Sequence, residues 1–300
     1  MNIDKILRCF PKQIQELILN NINSQESEKL EEIRVRNNLP LILKLGQGEK
    51  ILNYKITTED INYIFQKICE NSVYSYQKQI ANGFITIPGG HRVGIVGSAV
   101  LEQNDKVINL NYISGLNFRI SRQIIGCSNQ IISEIFNNAE SIYNTLIISK
   151  PGAGKTTLLR DIVRNISNGM PGKFNGVNVA VIDERGEISA TYKGIMQNDL
   201  GIRTDVINDI PKYLGMKMVI RSMAPKVLVA DEIGNRQDSE AIKYAICCGV
   251  KGIFTAHGDS IEDINKNPEL SDLLQNKIFE KIIIIKSRTE KNYKWEIVKY

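Results

Sequence analysis

Two histidines, one tryptophan and five cysteines in 300 residues leave little material for several kinds of chemistry. The cysteines (Cys9, Cys69, Cys127, Cys247 and Cys248) are odd in number and lack C-x-x-C spacing. That argues against a disulfide framework or a zinc knuckle and for a reducing, cytosolic compartment. Without clustered Cys or His ligands, a transition-metal centre is not expected. Long apolar runs are also missing. Stretches such as Ile282–Ile285 fall far short of the roughly 20 residues a membrane span needs. The first residues, Met1-Asn2-Ile3-Asp4-Lys5, have no apolar h-region, so no signal peptide is expected. Any membrane role would be peripheral. Aromatics reach only 7%, and neither sign of charge dominates, with 38 Lys+Arg against 33 Asp+Glu. Residues 1–140 hold 15 basic and 14 acidic side chains, and residues 141–300 hold 23 and 19. This surplus is too dilute for a nucleic-acid footprint, though it suits an anionic ligand or a membrane surface. What remains is a soluble globular composition, 42% apolar and 24% charged, at a length that suits two domains.

The first part of the chain reads as a small α+β domain. Apolar positions Ile3, Ile6, Leu7, Phe10, Ile14, Leu17 and Ile18 have helical spacing, interrupted by Pro11. Residues 32–36 and 41–45 flank Asn37-Asn38-Leu39-Pro40 as a β-hairpin, and Thr58-Glu59-Asp60 opens a helix to about Glu70. A second helix is expected from Ser72 to Ala81. Strands follow at Phe84–Pro88, Arg92–Leu101 and Asn111–Arg122, with turns at Gly89-Gly90 and Asn104-Asp105. A boundary near Gly126 gives an N-terminal domain over 1–126, a linker helix within 127–140 and a second domain over 141–300. In that second domain strand and helix alternate. Buried-type strands at Thr145–Ser149, Val177–Asp183, Val227–Asp231 and Lys251–Thr255 argue for an α/β fold with a mainly parallel sheet. Residues 280–286 and 293–298 would add an antiparallel pair.

The chemistry concentrates in this second domain. Ser149-Lys150-Pro151-Gly152-Ala153-Gly154-Lys155-Thr156-Thr157 follows a strand and precedes a helical run. This is the setting in which a P-loop turns its amide N–H groups toward phosphates. Lys155 would reach the β- and γ-phosphates of ATP, Thr156 would ligate Mg²⁺, and Thr157 would hold the α-phosphate. Ser149 stands where the G-x-x-x-x-G-K-[ST] pattern begins with Gly. Further on, Val227-Leu228-Val229-Ala230-Asp231-Glu232 is an apolar strand ending in two carboxylates. There Asp231 would hold Mg²⁺ through water and Glu232 would act as general base. Val179–Ile182 ends likewise in Asp183-Glu184-Arg185. Two readings of that end stay open, a second acidic group that positions water or metal, and a loop salt-bridged by Arg185. Thr255-Ala256-His257-Gly258 brings His257 to the same sheet edge, as a sensor or relay or as a structural histidine.

The order of P-loop, acidic strand, Walker B strand and Thr-Ala-His-Gly segment resembles the type II/IV secretion ATPases, with their Walker A, Asp box, Walker B and His box. Several stretches are more closely similar to the stage III sporulation protein AA family of endospore-forming Firmicutes. They include Asn82–Val100, Asn117–Arg122, Pro151–Ile162, Ile182–Ile188, Gly201–Val206, Met218–Gly234 and Gly249–Gly258. The resemblance runs from about Leu30 to the C-terminus. It implies a RecA-like ATPase core behind an N-terminal PAS-like domain, assembled as a homo-oligomeric ring, a hexamer. ATP would lie between subunits, with arginines approaching the phosphates. Arg119 matches the family motif best, with Arg92, Arg122, Arg203 and Arg221 as further candidates.

The resemblance also implies a cytoplasmic protein, peripheral to the forespore-facing membrane of the mother cell. It would energise or assemble a transport channel in contact with membrane-bound sporulation channel proteins. His257 stands alone where many secretion ATPases carry further polar residues. The expectation is therefore an ATPase using ATP and Mg²⁺, with no nucleic acid as partner. The competing readings are a nucleic-acid-handling RecA-like ATPase and an ATP-binding scaffold with little turnover.

Overall fold

The computed structural model describes residues 3–46, 48–102, 104–289 and 292–299. The chain divides into two compact units, Met1–Arg122 with Tyr192–Gln197, and Gln123–Thr191 with Asn198–Tyr300.

In the first unit, helices α1 (Asp4–Leu7) and α2 (Lys12–Asn21) are separated at Pro11, which caps the start of α2. Helix α3 (Ser24–Lys29) starts in a capping box, Asn23 accepting from the Glu26 amide while the Glu26 carboxylate accepts from the Asn23 amide. Strands β1 (Leu30–Arg36), β2 (Pro40–Leu45) and β3 (Gly48–Lys55) follow, then helix α4 (Thr58–Ile68), capped by the Thr57/Asp60 pair. Where one helix is expected over 72–81, a 3₁₀ turn (Val73–Tyr76) runs into the short α5 (Gln77–Ala81). Strands β4 (Phe84–Ile87), β5 (His91–Glu102) and β6 (Lys106–Arg119) complete an antiparallel sheet of order β3-β2-β1-β6-β5-β4. Alternate residues (Ile33, Val35, Leu41, Leu43, Val93, Ile95, Leu116 and Phe118) pack against Phe10, Ile14, Ile18, Ile61 and Ile64.

The second unit carries α6 (Ile132–Ile135), β7 (Thr145–Ser149), α7 (Lys155–Asn168) and a small hairpin of β8 (Gly169–Met170) with β9 (Phe174–Asn175). Next come β10 (Val179–Asp183), β11 (Thr204–Asn208), α8 (Lys212–Ser222), β12 (Val227–Ala230) and α9 (Arg236–Cys247). The unit ends with β13 (Lys251–His257), α10 (Ile261–Asn265), α11 (Pro268–Gln275), β14 (Lys281–Thr289) and β15 (Asn292–Lys299). The sheet order is β11-β10-β12-β13-β7-β14-β15; neighbours are parallel except the antiparallel β14–β15 pair.

Both faces of this sheet are buried, which is why its strands read as unbroken apolar runs. On one face Ile147, Val181, Val229 and Ile253 pack against Leu158, Leu159, Ile162 and Val163 of α7. On the other, Leu146, Ile148, Ala180, Ile182 and Leu228 pack against Met216 of α8, Ala241 and Ile242 of α9, and Leu270 and Leu273 of α11. Each fully buried Leu or Ile contributes about 1.5–3 kcal/mol of transfer free energy.

Two features differ from the sequence reading. Residues 127–140 contain only the four-residue α6 instead of a linker helix. Cys127, Ile131, Ile132 and Ile135 are buried in the core that α7 covers. The buried Asp161 carboxylate accepts from the Gly126 and Ser128 amides and the Ser128 hydroxyl, folding this stretch onto its own unit. Besides the two-residue strands β8 and β9, two strands, β3 and β11, escape the periodicity argument. Both are sheet edges with largely exposed or half-buried residues, so neither carries a strong apolar pattern.

Candidate functional site

Because β10, β12, β13 and β7 run parallel and adjacent, their C-terminal ends deliver Asp183, Asp231-Glu232, His257 and Ser149 to one edge of the sheet. Ser149 is fully buried at the end of β7, its hydroxyl donating to the Lys150 carbonyl at 2.9 Å. The loop then turns through Gly152 and Gly154, both at positive φ. Gly154, at φ 87°, is the N-cap of α7, and a Cβ there would lie 2.5 Å from Arg288 Nη1. Only glycine satisfies both the left-handed backbone and that close approach. Lys150 is held outside the loop by an exposed ion pair to Asp259 at 2.6 Å.

Lys155, the first residue of α7, is buried, and its ammonium donates to the Ser149 carbonyl at 3.3 Å and meets His257 Nδ1 at 3.0 Å. Burial holds its pKa below the usual lysine value, with Asp231 and Glu232 pulling the other way. Thr156 donates its hydroxyl to Asp231 Oδ2 at 2.5 Å, and Thr255 donates to Oδ1. Burial is also the main reason the Asp231 carboxyl is pushed up from its ordinary value.

Glu232 sits in the left-handed region at φ 53°, its amide donating to the Thr255 hydroxyl at 2.8 Å. Its Oε1 meets His257 Nε2 at 2.9 Å and its Oε2 accepts from Arg185 Nη1 at 2.6 Å. With Lys155 an ammonium, His257 Nδ1 accepts and Nε2–H donates. The imidazole thus bridges Lys155 to Glu232.

The acidic end of β10 divides its labour. Asp183 is buried and accepts four hydrogen bonds from its own loop, from the Glu187, Ile188 and Ser189 amides at 2.8, 3.0 and 2.8 Å and the Ser189 hydroxyl at 2.6 Å. Its oxygens are occupied by loop anchoring. Glu184 pairs with Lys212 at 2.5 Å, and Lys212 also lies 3.7 Å from the buried Asp238. Arg185 turns away from both neighbours to Glu232. Beside Glu232 lies a small space of about 20 Å³, enough for one water, lined by Glu184, Arg185, Glu187, Lys212 and Asp231 among others.

The arginines fall in two places. Arg119 and Arg92 are side by side across β6 and β5 in the first unit, with Glu32 opposite Arg119 on β1. Arg92 also lies over the Phe84 ring, and Arg122 donates to the Leu30 carbonyl. In the second unit Arg203 donates to the Ser167 carbonyl at 2.9 Å, near the end of α7 remote from the P-loop. Arg221 is exposed in the last turn of α8.

Sequence reasoning missed Tyr293 and Arg288 on the β15–β14 hairpin. Tyr293 donates its hydroxyl to the Gly154 carbonyl at 3.1 Å, and Arg288 lies over the Tyr293 ring. Their only sequence signal is two polar-capable side chains on strands that pair beside β7. Cys127 is adjacent, its thiol 3.7 Å from the Thr157 carbonyl and pushed up to about 11 by burial, which keeps it protonated.

A mixed, largely parallel sheet with a glycine loop opening a helix between its central strands defines the RecA-like P-loop α/β fold. Solved structures agree. The Legionella pneumophila ATPase DotB superposes with TM-score 0.61 at 14% identity, covering 96% of this chain and 80% of that one. The pilus retraction motor PilT, solved with bound ADP, gives TM-score 0.64 at 14% identity, covering 98% and 83%. The chain belongs to the family described as sporulation stage III, protein AA, whose model matches residues 2–295. Stage III sporulation protein AA of Bacillus subtilis (strain 168) is 37% identical over 282 residues, 94% of this chain and 90% of that protein. No helix among the described residues is long and apolar enough to cross a membrane.

Proposed function

We propose that this chain is an ATP-hydrolysing motor subunit that works in a ring during sporulation, energising or assembling a channel between mother cell and forespore. One observation carries the reading: Lys155, Thr156, Asp231, Glu232 and His257 converge on a single sheet edge at hydrogen-bond distances. The membership of the sporulation family and the likeness of fold to DotB and PilT support it.

The donor set fits Mg²⁺. Thr156 and Asp231 are hard oxygen donors already in contact, and the burial cost on Asp231 is what a nearby cation relieves. When bound, Mg²⁺ would neutralise charge developing between the β- and γ-phosphates. Lys155 would exchange the Ser149 carbonyl and His257 for phosphate oxygens. Glu232 would take a proton from the attacking water as the bond from water oxygen to Pγ forms and the bond from Pγ to the bridging oxygen breaks. Asp183 and Glu184 act in this reading by shaping the loop beside Glu232. Arg119 would serve a neighbouring subunit's phosphates. Arg92 and Arg119 are register partners across β5 and β6, which brings two cationic residues to one place on that sheet, while the neighbouring Glu32 is paired with Arg34.

The test is steady-state ATP hydrolysis with Mg²⁺ across a protein concentration series, for the wild type, Glu232→Gln and Lys155→Ala, with and without single-stranded DNA. We expect specific activity to rise with concentration and to ignore DNA. Glu232→Gln should lose at least about 100-fold in kcat while still binding nucleotide, and Lys155→Ala should lose binding. Stimulation by DNA would move the assignment to a nucleic-acid motor, and a fully active Glu232→Gln would remove the general base.

A further inference from the structure

Each oxygen of the carboxylate assigned to activate water already accepts one hydrogen bond from a nitrogen donor. His257 occupies Oε1 and Arg185 occupies Oε2. Two lone pairs remain, but a general base also needs its negative charge, and a guanidinium bonded to one oxygen draws part of that charge away from a water. The two caps differ in kind. His257 comes from β13 and is tied at its other nitrogen to Lys155, so it reports on the P-loop. Arg185 belongs to a loop that α7 holds by its backbone, Arg160 donating to the Glu187 carbonyl at 2.7 Å.

That loop is a tight turn. The Gly186 amide donates to the Asp183 carbonyl at 3.1 Å, and the four donors on the Asp183 carboxylate pin the backbone as far as Ser189. With the backbone fixed, the movable part is the Arg185 side chain, which is 65% exposed, against 25% for Glu232. Arg185 also lines the one-water space beside Glu232. An ion pair at such a wet position is weak. It can close over the carboxylate and open again without disturbing the fold.

We infer that Arg185 is a latch on Glu232, a positioning residue whose departure from Oε2 returns the general base's full charge to the water in each turnover. The latch rests on the reading of Glu232 as the base of an ATPase. It makes this site self-restraining, since the resting arrangement ties up part of the base's charge until the pair separates. Exposed pairs of this kind shift an equilibrium by roughly two- to fivefold, which sets the size of the effect.

The experiment combines steady-state kinetics with titration of a fluorescent ATP analogue on the full chain. Arg185→Ala should raise kcat roughly two- to fivefold while KM for ATP holds within about twofold. Arg185→Gln, which keeps the side-chain reach but loses the charge, should move in the same direction. Arg185→Lys, which retains a cation, should rise less than either. In a Glu232→Gln background, Arg185→Ala should change nothing, a coupling that a merely structural role would not produce. A fall in kcat, or no change, in both Arg185→Ala and Arg185→Gln would overturn the latch. Analogue binding without turnover in the wild type and both variants would overturn it too, leaving nucleotide binding in place. Failure of the wild type to bind the analogue would instead sink the nucleotide reading on which it stands.

Discussion

Tyr293 shows how much of this site rests on single contacts from distant sequence. Its hydroxyl reaches the Gly154 carbonyl at the first turn of the P-loop helix, and burial raises the phenol's pKa so that the donor proton stays in place. Tyr293→Phe removes one hydrogen bond, worth about 0.5–1.5 kcal/mol, without opening a cavity. We expect affinity for a fluorescent ATP analogue to weaken roughly two- to tenfold, with little change in melting temperature. Wild-type affinity in the variant would show that the loop keeps its shape without this tie. At this scale the glycine loop before α7 and the carboxylates ending β12 were legible as places in the fold because each stretch is contiguous and follows a strand. Tyr293 was not, since 139 residues separate it from its partner. Neither was the direction of Arg185, whose partner Glu232 lies 47 residues on.

Among the elements, the turn after β10 has the most concentrated polar anchoring. Asp183 looks in sequence like a candidate catalytic acid, and its place at the end of an apolar strand supports that reading as well as a structural one. Counting donors separates the two: three backbone amides and a hydroxyl fill its oxygens. Asp183→Ala would leave those buried donors unpaired, at a cost of about 4 kcal/mol or more. Urea unfolding should therefore show a lower midpoint at unchanged slope. A variant as stable as the wild type would return Asp183 to the list of reacting groups. Interior strands were legible for the reason that makes them stable: β10 and β12 are buried on both faces and so apolar throughout. The edge strands β3 and β11 were not, because partial exposure relaxes the demand for apolar residues.

For the molecule as a whole, the pH response of the first unit follows from one buried group. His91 accepts from the Ser121 amide at 3.1 Å, and burial, helped by the Lys5 charge, pushes its pKa down to about 4. The unfolded chain, with an ordinary histidine, binds the proton between pH 6.5 and 4 while the folded chain does not. Stability is therefore full above pH 6.5 and falls as pH drops through that window, by about 2 kcal/mol between pH 6.5 and 5. Melting curves from pH 7 to 5 should show this loss, and His91→Gln should flatten it. An equal acid loss in the variant would place the sensitivity elsewhere. The division into units follows the same scale. A change from α+β patterning to strand–helix alternation was visible along the chain. The return of Tyr192–Gln197 to the first unit was not. There the Tyr192 hydroxyl and Lys193 ammonium both meet Glu70, and Gln197 accepts from the Gly89 amide.

Linear sequence was enough for whatever depends on neighbours in the chain: the α/β class, the glycine loop between a strand and a helix and the paired carboxylates at a strand end. Local backbone geometry and periodic burial impose those patterns directly on residue type. Sequence could not say which carboxylate is anchored and which is poised, which arginine meets Glu232, or what steadies Gly154. Those outcomes depend on hydrogen bonds of about 3 Å between residues tens to more than a hundred positions apart. Such distances are set by strand order and by the packing of two cores against one sheet, so they exist only once the whole chain has folded.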